Sequence, residues 1–115
     1  MPKKGKAGEE AAVRFLEEKG MEIIEKNFRS RRGEVDIIAL DGETLAFVEV
    51  KTWSVYGIDA LEQALDAKKK RKIIETSKYF LSLHREYKYM AIRFDVIFIS
   101  PEGLIHLASA FTECV

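Results

Sequence analysis

The segment of residues 33–52, GEVDIIALDGETLAFVEVKT, constrains the fold of this chain more than any other. It contains two apolar stretches joined at Asp-Gly, a dipeptide typical of tight β-hairpin turns. We expect strands at residues 33–40 and 45–52, with residues 41–44 as the turn. Both strands are apolar on both faces near the turn, which is typical of strands that other layers cover on each side. The sequence therefore predicts a hairpin at the centre of a layered fold.

Helical and extended patterns flank this hairpin along the rest of the chain. The spacing of apolar residues predicts a helix from about residue 7 to 19 and another from Asp59 to about residue 83, with Asp66 as an alternative start of a separate helix. β-Branched and aromatic residues predict three further strands, at residues 21–28, 90–100 and 104–108. The order α-β-β-β-α-β-β predicts an α/β fold with a central mixed β-sheet flanked by α-helices.

The length of 115 residues fits a single domain spanning residues 1–115. No apolar stretch approaches the length of a membrane span, and glutamates stand where a signal peptide would be apolar. We therefore expect a cytoplasmic protein without a membrane partner. The single cysteine, Cys114, excludes an intrachain disulfide and a zinc finger.

The charges of the chain cancel overall but are strongly segregated. Residues 1–33 carry nine Lys/Arg and six Asp/Glu, residues 34–66 carry one and eight, and residues 67–115 carry nine and five. An acidic centre between basic flanks suits a metal-dependent enzyme that acts on a polyanion, because carboxylates hold the cation and basic side chains contact phosphates. Solvated faces of a neutral protein would give the same totals.

Four charged residues interrupt the otherwise apolar strands of the hairpin. Counting back from the turn gives two pairs on one face of the sheet, Asp36 with Glu49 and Glu34 with Lys51. Like charges at such spacing are costly unless they are protonated or neutralised by a cation, and oxygen ligands of this kind suit Mg²⁺ or Mn²⁺. The alternative is a ladder of exposed ion pairs at the end of a sheet, which would need no function.

These residues match a known pattern. The segment GEVDIIALDGETLAFVEVKT resembles the D…(D/E)xK core of the restriction-endonuclease-like superfamily, and more closely the bacterial YraN-like family, which is related to the archaeal Holliday junction resolvases. The resemblance extends to GEEAAVRFLEEKG near the start, YG after the lysine strand, a lysine within residues 68–72, and RFDVI near the end. It implies a restriction-endonuclease-like fold and nuclease chemistry.

In that superfamily an aspartate and a glutamate bind Mg²⁺, and a lysine activates or holds the attacking water. Carried over by resemblance, the metal ligands are Asp36, Glu49 and the backbone carbonyl of Val50, and the lysine is Lys51. A glutamate of the first helix often completes the catalytic set. Its spacing to the apolar residues of that helix makes it Glu9, with Glu10 as the alternative.

Two basic stretches are candidates for contacts with nucleic-acid phosphates. They comprise Arg29, Arg31 and Arg32 before the acidic strand, and Lys68, Lys69 and Lys72 within KKKRK. Trp53 and Tyr56 could stack on a splayed base, although packing against a loop is the commoner role for such residues. Arg93 and Asp95 share a strand face, which favours a structural ion pair over catalysis. His84 and His106 have no partners at metal-ligand spacing and are assigned no role.

We therefore expect an endonuclease that uses Mg²⁺ or Mn²⁺ to hydrolyse phosphodiester bonds of DNA, with branched or structured DNA as a candidate substrate. The alternative is a nucleic-acid-binding module that has the nuclease-like fold and does not cleave. A structural protein whose charged patch is only an ion-pair ladder is a third option. The sequence leaves open whether the chain forms a homodimer or serves a protein partner.

Overall fold

The computed structural model describes residues 3–52 and 66–112, with side chains from residue 8 onward. Its elements are helix α1 (Lys3–Glu18), strands β1 (Glu22–Arg29), β2 (Glu34–Asp41) and β3 (Thr44–Thr52), helix α2 (Ala67–Leu83), a 3₁₀ turn (Arg85–Tyr87), and strands β4 (Ala91–Ser100) and β5 (Gly103–Phe111). The predicted order of helices and strands is confirmed. The expected helical start at Asp59 lies outside the described residues.

Helix α2 begins at the alternative start that the sequence offered. Asp66 has an extended backbone, and its Oδ1 accepts a hydrogen bond from the Lys69 N–H at 2.8 Å. This bond caps one of the backbone N–H groups that the first turn of a helix leaves without a partner. The cap therefore fixes where the basic run KKKRK enters the helix.

The five strands form one sheet in the order β1-β2-β3-β4-β5. β3 and β4 are parallel, whereas the other three neighbouring pairs are antiparallel. Parallel neighbours need a long crossover, and α2 lies in the connection between these two strands. The sheet is therefore mixed, as the sequence predicted.

The β2–β3 hairpin has the expected register near its turn. Leu40 lies opposite Leu45, and Gly42 has a φ of +62°, a backbone conformation that favours glycine in a two-residue hairpin loop. The backbone pairing ends at Ile37 opposite Val48. The ladder predicted beyond this point, through Asp36 and Glu34, is not continued, and the two strands separate where their charged residues begin.

In the described part of the chain, each face of the sheet carries one helix over an apolar core. Helix α1 buries Ala12 and Leu16 against one face, which includes Ile37 and Val48. Helix α2 buries Ile73 and Phe80 against the opposite face, which includes Ile38, Leu45 and Phe47. This arrangement explains why the hairpin is apolar on both faces, since fully burying one large apolar side chain stabilises a fold by roughly 1.5–3 kcal/mol. Neither helix, within the described ranges, is long and apolar enough to cross a membrane.

Candidate active site

Asp36 lies at the point where β2 separates from β3. Its Oδ2 accepts a hydrogen bond from the Val50 N–H at 2.8 Å. The Asp36 side chain therefore accepts the hydrogen bond of a β3 backbone N–H group that lies just beyond the last backbone pair. The two strands can separate here without leaving this N–H group unsatisfied. Asp36 and Glu49 meet here even though their backbones do not pair.

The pKa of Asp36 is strongly raised beside the Glu49 carboxylate. Burial, and after it the charge of the Glu49 carboxylate, raise the pKa of Asp36 from its ordinary value of 3.8 to about 8, against the opposing hydrogen bond from Val50. A hydrogen bond between the two carboxyls also favours the protonated form of Asp36. Asp36 therefore holds its proton to a higher pH than an ordinary aspartate does, and the almost fully buried Glu49 lies beside it.

Two lysines neutralise the Glu49 carboxylate. Lys69 Nζ lies 3.0 Å from Glu49 Oε2, and Lys51 Nζ lies 3.3 Å from the same oxygen. Burial lowers the pKa of Lys51, and the contact with Lys69 lowers it as well. The pKa of Lys69 is raised, because its contacts with Lys51 and Glu49 outweigh the opposing effect of burial. Lys51 is therefore the amine of this pair that loses its proton more readily.

These side chains line a cavity of about 540 Å³, which we call the carboxylate cleft. Its walls are formed by Gly33, Glu34, Asp36, Glu49, Val50, Lys51, Asp66, Lys68, Lys69, Lys72 and Ile73. The basic run divides between two sides of α2, because Lys70 and Arg71 line a different surface and Lys70 lies over the Phe111 ring. The cleft thus gathers the three lysines that the sequence indicated.

Helix α1 brings Glu9 to the same region. The Cα of Gly8 lies so close to β3 and β4 that a Cβ there would be 3.5 Å from both Thr52 Oγ1 and Ile99 Cδ1. The charge of the neighbouring Glu9 contributes to the raised pKa of Asp36, whereas Glu10 is exposed. Of the two glutamates that the sequence offered, Glu9 is the one whose charge acts on the cleft.

Glu34 does not pair with Lys51, although it lines the cleft. Its Oε1 lies 3.7 Å from Arg29 Nε on the neighbouring strand, and the two residues are opposite each other in the β1–β2 ladder. The predicted pair with Lys51 is therefore wrong. Strand separation moves Glu34 away from β3 and leaves it beside β1.

The loop between β1 and β2 is held against α2. Ser30 Oγ lies 2.9 Å from Thr76 Oγ1, and Arg32 Nη1 donates to Glu75 Oε1 at 2.9 Å. Gly33 permits this approach, because a Cβ at that position would lie 3.2 Å from the Cβ of Lys72. The loop and helix enclose a second depression of about 660 Å³, the arginine groove, lined by Arg29, Ser30, Arg31, Arg32, Glu75 and Tyr79.

The three arginines therefore line the arginine groove rather than the carboxylate cleft. Gly33 and Glu34 lie on the wall of the cleft and directly follow the arginines in the chain, so the two depressions are neighbours. Arg31 is exposed and has no ion-pair partner within residues 3–52 and 66–112. Basic side chains of α2 line the cleft beside the carboxylates, and those of the adjoining loop line the neighbouring groove.

The donor set of the cleft fits Mg²⁺ or Mn²⁺ in its chemistry. Asp36 and Glu49 supply hard oxygen ligands, and Val50 lies on the same wall. In the described part of the chain no three Asp, Glu, His or Cys side chains converge into a group that could hold a metal ion. Here the raised pKa of Asp36 and the contacts of Lys51 and Lys69 with Glu49 offset the negative charge of the two carboxyl groups.

A second polar cluster lies on the α1 side of the sheet. The sequence predicted its Arg93–Asp95 pair but not its other contacts. Asp95 is fully buried and accepts hydrogen bonds from Arg93 Nε and from the Ser109 N–H, both at 2.9 Å. The predicted ion pair with Arg93 is confirmed, and Arg93 also reaches Asp41 Oδ2 at 3.0 Å. This network satisfies the buried carboxylate and connects β4 to its neighbour β5 and, through Arg93, to β2 on the far side of β3.

His106 is the residue that sequence reasoning missed. Its Nε2 lies 2.9 Å from Asp95 Oδ2, although the sequence analysis assigned it no role. The signal was weak, because the contact depends on the β4–β5 register, in which His106 pairs with Ile97 and the irregularity lies further along, between Phe94 and Val96. His84 stacks on the Phe80 ring at 4.2 Å, which is a packing role. Trp53 and Tyr56 lie outside the described residues.

Comparison with known proteins gives a consistent family. A family model described as "Uncharacterised protein family UPF0102" matches residues 8–99. A "UPF0102 protein" of Persephonella marina is 45% identical over 108 residues, covering 94% of this chain and 92% of that protein. Another from Treponema denticola is 40% identical over 124 residues, covering 96% and 95%. One from Syntrophus aciditrophicus is 46% identical over 103 residues, covering 86% and 79%.

Proposed function

The chain belongs to the uncharacterised protein family UPF0102, and from this starting point we propose that its carboxylate cleft hydrolyses phosphodiester bonds of DNA with Mg²⁺ or Mn²⁺. The family membership confirms the YraN-like family expected from the sequence. The proposal extends this to a restriction-endonuclease-like fold, which the five-stranded mixed sheet with a helix on each face supports.

One observation carries the proposal. The carboxyl groups of Asp36 and Glu49 meet at the separated end of the hairpin. The pKa of Asp36 is raised to about 8, and Lys51 contacts Glu49. Folding places these groups together at a cost in free energy, since burial and like charge both oppose their ionisation. Groups whose pKa values are strongly perturbed in a cleft are candidates for function rather than for stability.

The residues that would hold the cation are Asp36 and Glu49, with the Val50 carbonyl as a third oxygen, and Glu9 nearby for a second ion. When bound, the cation would supply Lewis acidity toward a phosphate oxygen and charge for the transition state. Binding it would displace the Asp36 proton and loosen the lysines from Glu49, because a carboxylate must be deprotonated to act as a ligand.

The side chains of this protein would perform the remaining steps. Lys51, with its lowered pKa, would act as a neutral amine that orients the attacking water and takes one of its protons while the water oxygen bonds to phosphorus and the bond from phosphorus to the leaving sugar oxygen breaks. The leaving oxygen would take a proton from solvent water. Lys68 and Lys72 on the rim would hold phosphates of the same strand, and Lys69 would join them when it leaves Glu49. The site therefore combines a water-activating amine with a phosphate-binding wall.

The deciding experiment is a cleavage assay with Mn²⁺ on branched, single-stranded and duplex DNA. The parent should cut at least one of these substrates, and Glu49→Gln should not, because the amide removes a charged ligand while keeping the shape. Parent and variant should both remain folded, as their circular dichroism would show. Equal cleavage by the two proteins would mean that the activity does not come from this cleft.

A second candidate function is nucleic-acid binding without cleavage. Two observations favour it. Among the described residues no three Asp, Glu, His or Cys side chains form a group that could hold a metal ion, and two lysines already contact Glu49. Under this alternative DNA affinity would be the same in EDTA and in Mn²⁺, and no DNA in the panel would be cut. A nuclease would bind more tightly or cut when the metal is present.

A further inference from the structure

Tyr79 is the aromatic residue of the arginine groove, and its environment differs from that of the other α2 aromatics. Phe80, the next residue, is fully buried in the core, whereas Tyr79 is 47% exposed. The ring contacts the Phe28 ring, with centroids 5.9 Å apart and planes tilted by 35°. The Tyr79 ring therefore packs against Phe28 and still exposes a large part of its surface in the groove.

The groove continues the lysine wall of the cleft along α2. Lys68, Lys72, Glu75 and Tyr79 recur at intervals of four, three and four residues, which places them on one stripe of the helix. The first two line the carboxylate cleft, and the last two line the arginine groove. A rise of 1.5 Å per residue puts Tyr79 about 10 Å along the axis from Lys72.

The charges beside Tyr79 suit a phosphate backbone. Arg31 has no ion-pair partner in the described part of the chain, and it is exposed. Arg29 and Arg32 pair with Glu34 and Glu75 on the surface, and such exposed pairs are weak enough for a phosphate to displace. The groove thus offers three guanidinium groups around one aromatic ring, and its volume of about 660 Å³ would admit a nucleoside.

We propose that the arginine groove binds an unpaired strand of DNA that extends from the carboxylate cleft, with one base stacked on Tyr79. A base can stack on an aromatic side chain only when it is splayed out of a duplex, whereas a paired strand presents only its backbone to such a groove. The substrate class is therefore DNA with a single-stranded segment beside the scissile phosphate. This inference rests on the proposed function for the position of that phosphate.

The test measures binding in EDTA, so that it does not depend on cleavage. Labelled single strands, duplexes with a single-stranded tail and blunt duplexes are titrated with the parent, Tyr79→Leu and Tyr79→Phe. Leucine keeps an apolar contact with Phe28 but removes the aromatic surface, and phenylalanine keeps the surface without the hydroxyl. Tyr89→Leu is the matched control, since Tyr89 is 90% exposed outside both depressions.

Tyr79→Leu should bind tailed and single-stranded DNA roughly tenfold more weakly, the scale of one lost base–aromatic stack, and should bind blunt duplex as the parent does. Tyr79→Phe and Tyr89→Leu should match the parent on every DNA. An abasic nucleotide at one position of the tail should weaken the parent to the same degree and have no further effect on Tyr79→Leu. Melting curves confirm that the compared variants are folded at the assay temperature.

Equal losses on tailed and blunt DNA, no loss at all, or an equal loss in Tyr89→Leu would overturn the stacking site. Tighter binding of an RNA strand of the same sequence would overturn the assignment of DNA. The outcome separates from that of the proposed function. If the parent binds single-stranded tails through Tyr79 but cleaves no DNA, only the nuclease activity is rejected. If the parent cleaves DNA while Tyr79→Leu binds tailed DNA as the parent does, only this inference is rejected.

Discussion

Lys69 Nζ on helix α2 lies 3.0 Å from Glu49 Oε2 on strand β3, so a residue of the basic run neutralises a carboxylate of the cleft directly. The contact is shorter than that of Lys51 with the same oxygen, at 3.3 Å. Glu49 is buried, and a buried carboxylate without a partner would be strongly unfavourable. Under the proposed function, a divalent cation would therefore compete with Lys69 for Glu49.

Metal binding should compete with this ion pair. We expect Mn²⁺ to raise the melting temperature of the parent, because an ion at a hundred times its Kd stabilises the folded state by about 2.7 kcal/mol. Lys69→Met should bind Mn²⁺ more tightly and show a larger shift, since the thioether cannot pair with Glu49. Asp36→Asn should lose most of the shift.

Lys70→Met provides the control, because Lys70 sits on the same helix but faces away from the cleft. Its shift with Mn²⁺ should equal that of the parent. If Lys69→Met binds Mn²⁺ more weakly than Lys70→Met, Lys69 does not compete with the metal.

The raised pKa of Asp36 predicts a pH dependence of stability without metal. Below its ordinary value of 3.8 both states hold the proton, but between about pH 4 and pH 8 only the unfolded state releases it. The folded state then binds more protons, so the free energy of unfolding should fall as pH rises through this window and level off above it. Denaturant titrations across the window should show this fall in the parent.

Asp36→Asn should reduce that slope and exceed the parent in stability near pH 8, because the amide has no proton to lose. Glu10→Gln changes an exposed carboxyl of α1 and should keep the slope of the parent. Parallel pH profiles for the parent and Asp36→Asn would show that Asp36 ionises normally in the folded protein.

DNA binding should be salt-dependent although the net charge of the chain is zero. Replacing Lys68 and Lys72 with alanine should flatten the plot of log K against log salt by about two units, since each lysine that neutralises a phosphate contributes roughly one. The matched control replaces Lys70 and Arg71, which add the same charge on another side of α2. Equal slopes for the two double variants would mean that the cleft lysines make no special contact.

The hairpin could be predicted because its signals are local. Asp-Gly specifies the turn, the alternation of side chains specifies the faces, and counting from the turn placed Asp36 near Glu49. The count failed for Glu34 because the strands separate after Ile37, where the Asp36 side chain replaces a backbone partner. The pattern of apolar residues cannot predict a hydrogen bond of this kind from a side chain to the backbone.

The remaining contacts depend on how distant elements pack. KKKRK indicated a phosphate-binding helix, but only the orientation of α2 decides that Lys69 meets Glu49 while Lys70 turns to Phe111. His106 reaches Asp95 only because the β4–β5 register pairs His106 with Ile97, two residues from Asp95. The sequence thus predicted the residue types of the site, whereas their pairing needed the tertiary structure.

Lys51 distinguishes an enzyme from a binding protein more sharply than the carboxylates do, because losing a carboxylate would disturb metal, fold and DNA together. Lys51→Met should retain Mn²⁺ binding, since Glu49 keeps Lys69 and loses only a competing cation. Cleavage should fall about a hundredfold or more, the usual scale for a positioned proton-transfer group. DNA affinity should change little, because Lys51 is one of many basic groups around the cleft.

Two measurements on the same preparation check this prediction. Single-turnover cleavage at saturating protein reports the chemical step alone, and anisotropy in Ca²⁺ reports DNA affinity without it. The lowered pKa of Lys51 also predicts that parent cleavage rises with pH as the amine loses its proton, and that this rise is absent from the residual activity of Lys51→Met. Cleavage by Lys51→Met at the parental rate would remove Lys51 from the reaction and leave the carboxylates as a metal site without a base.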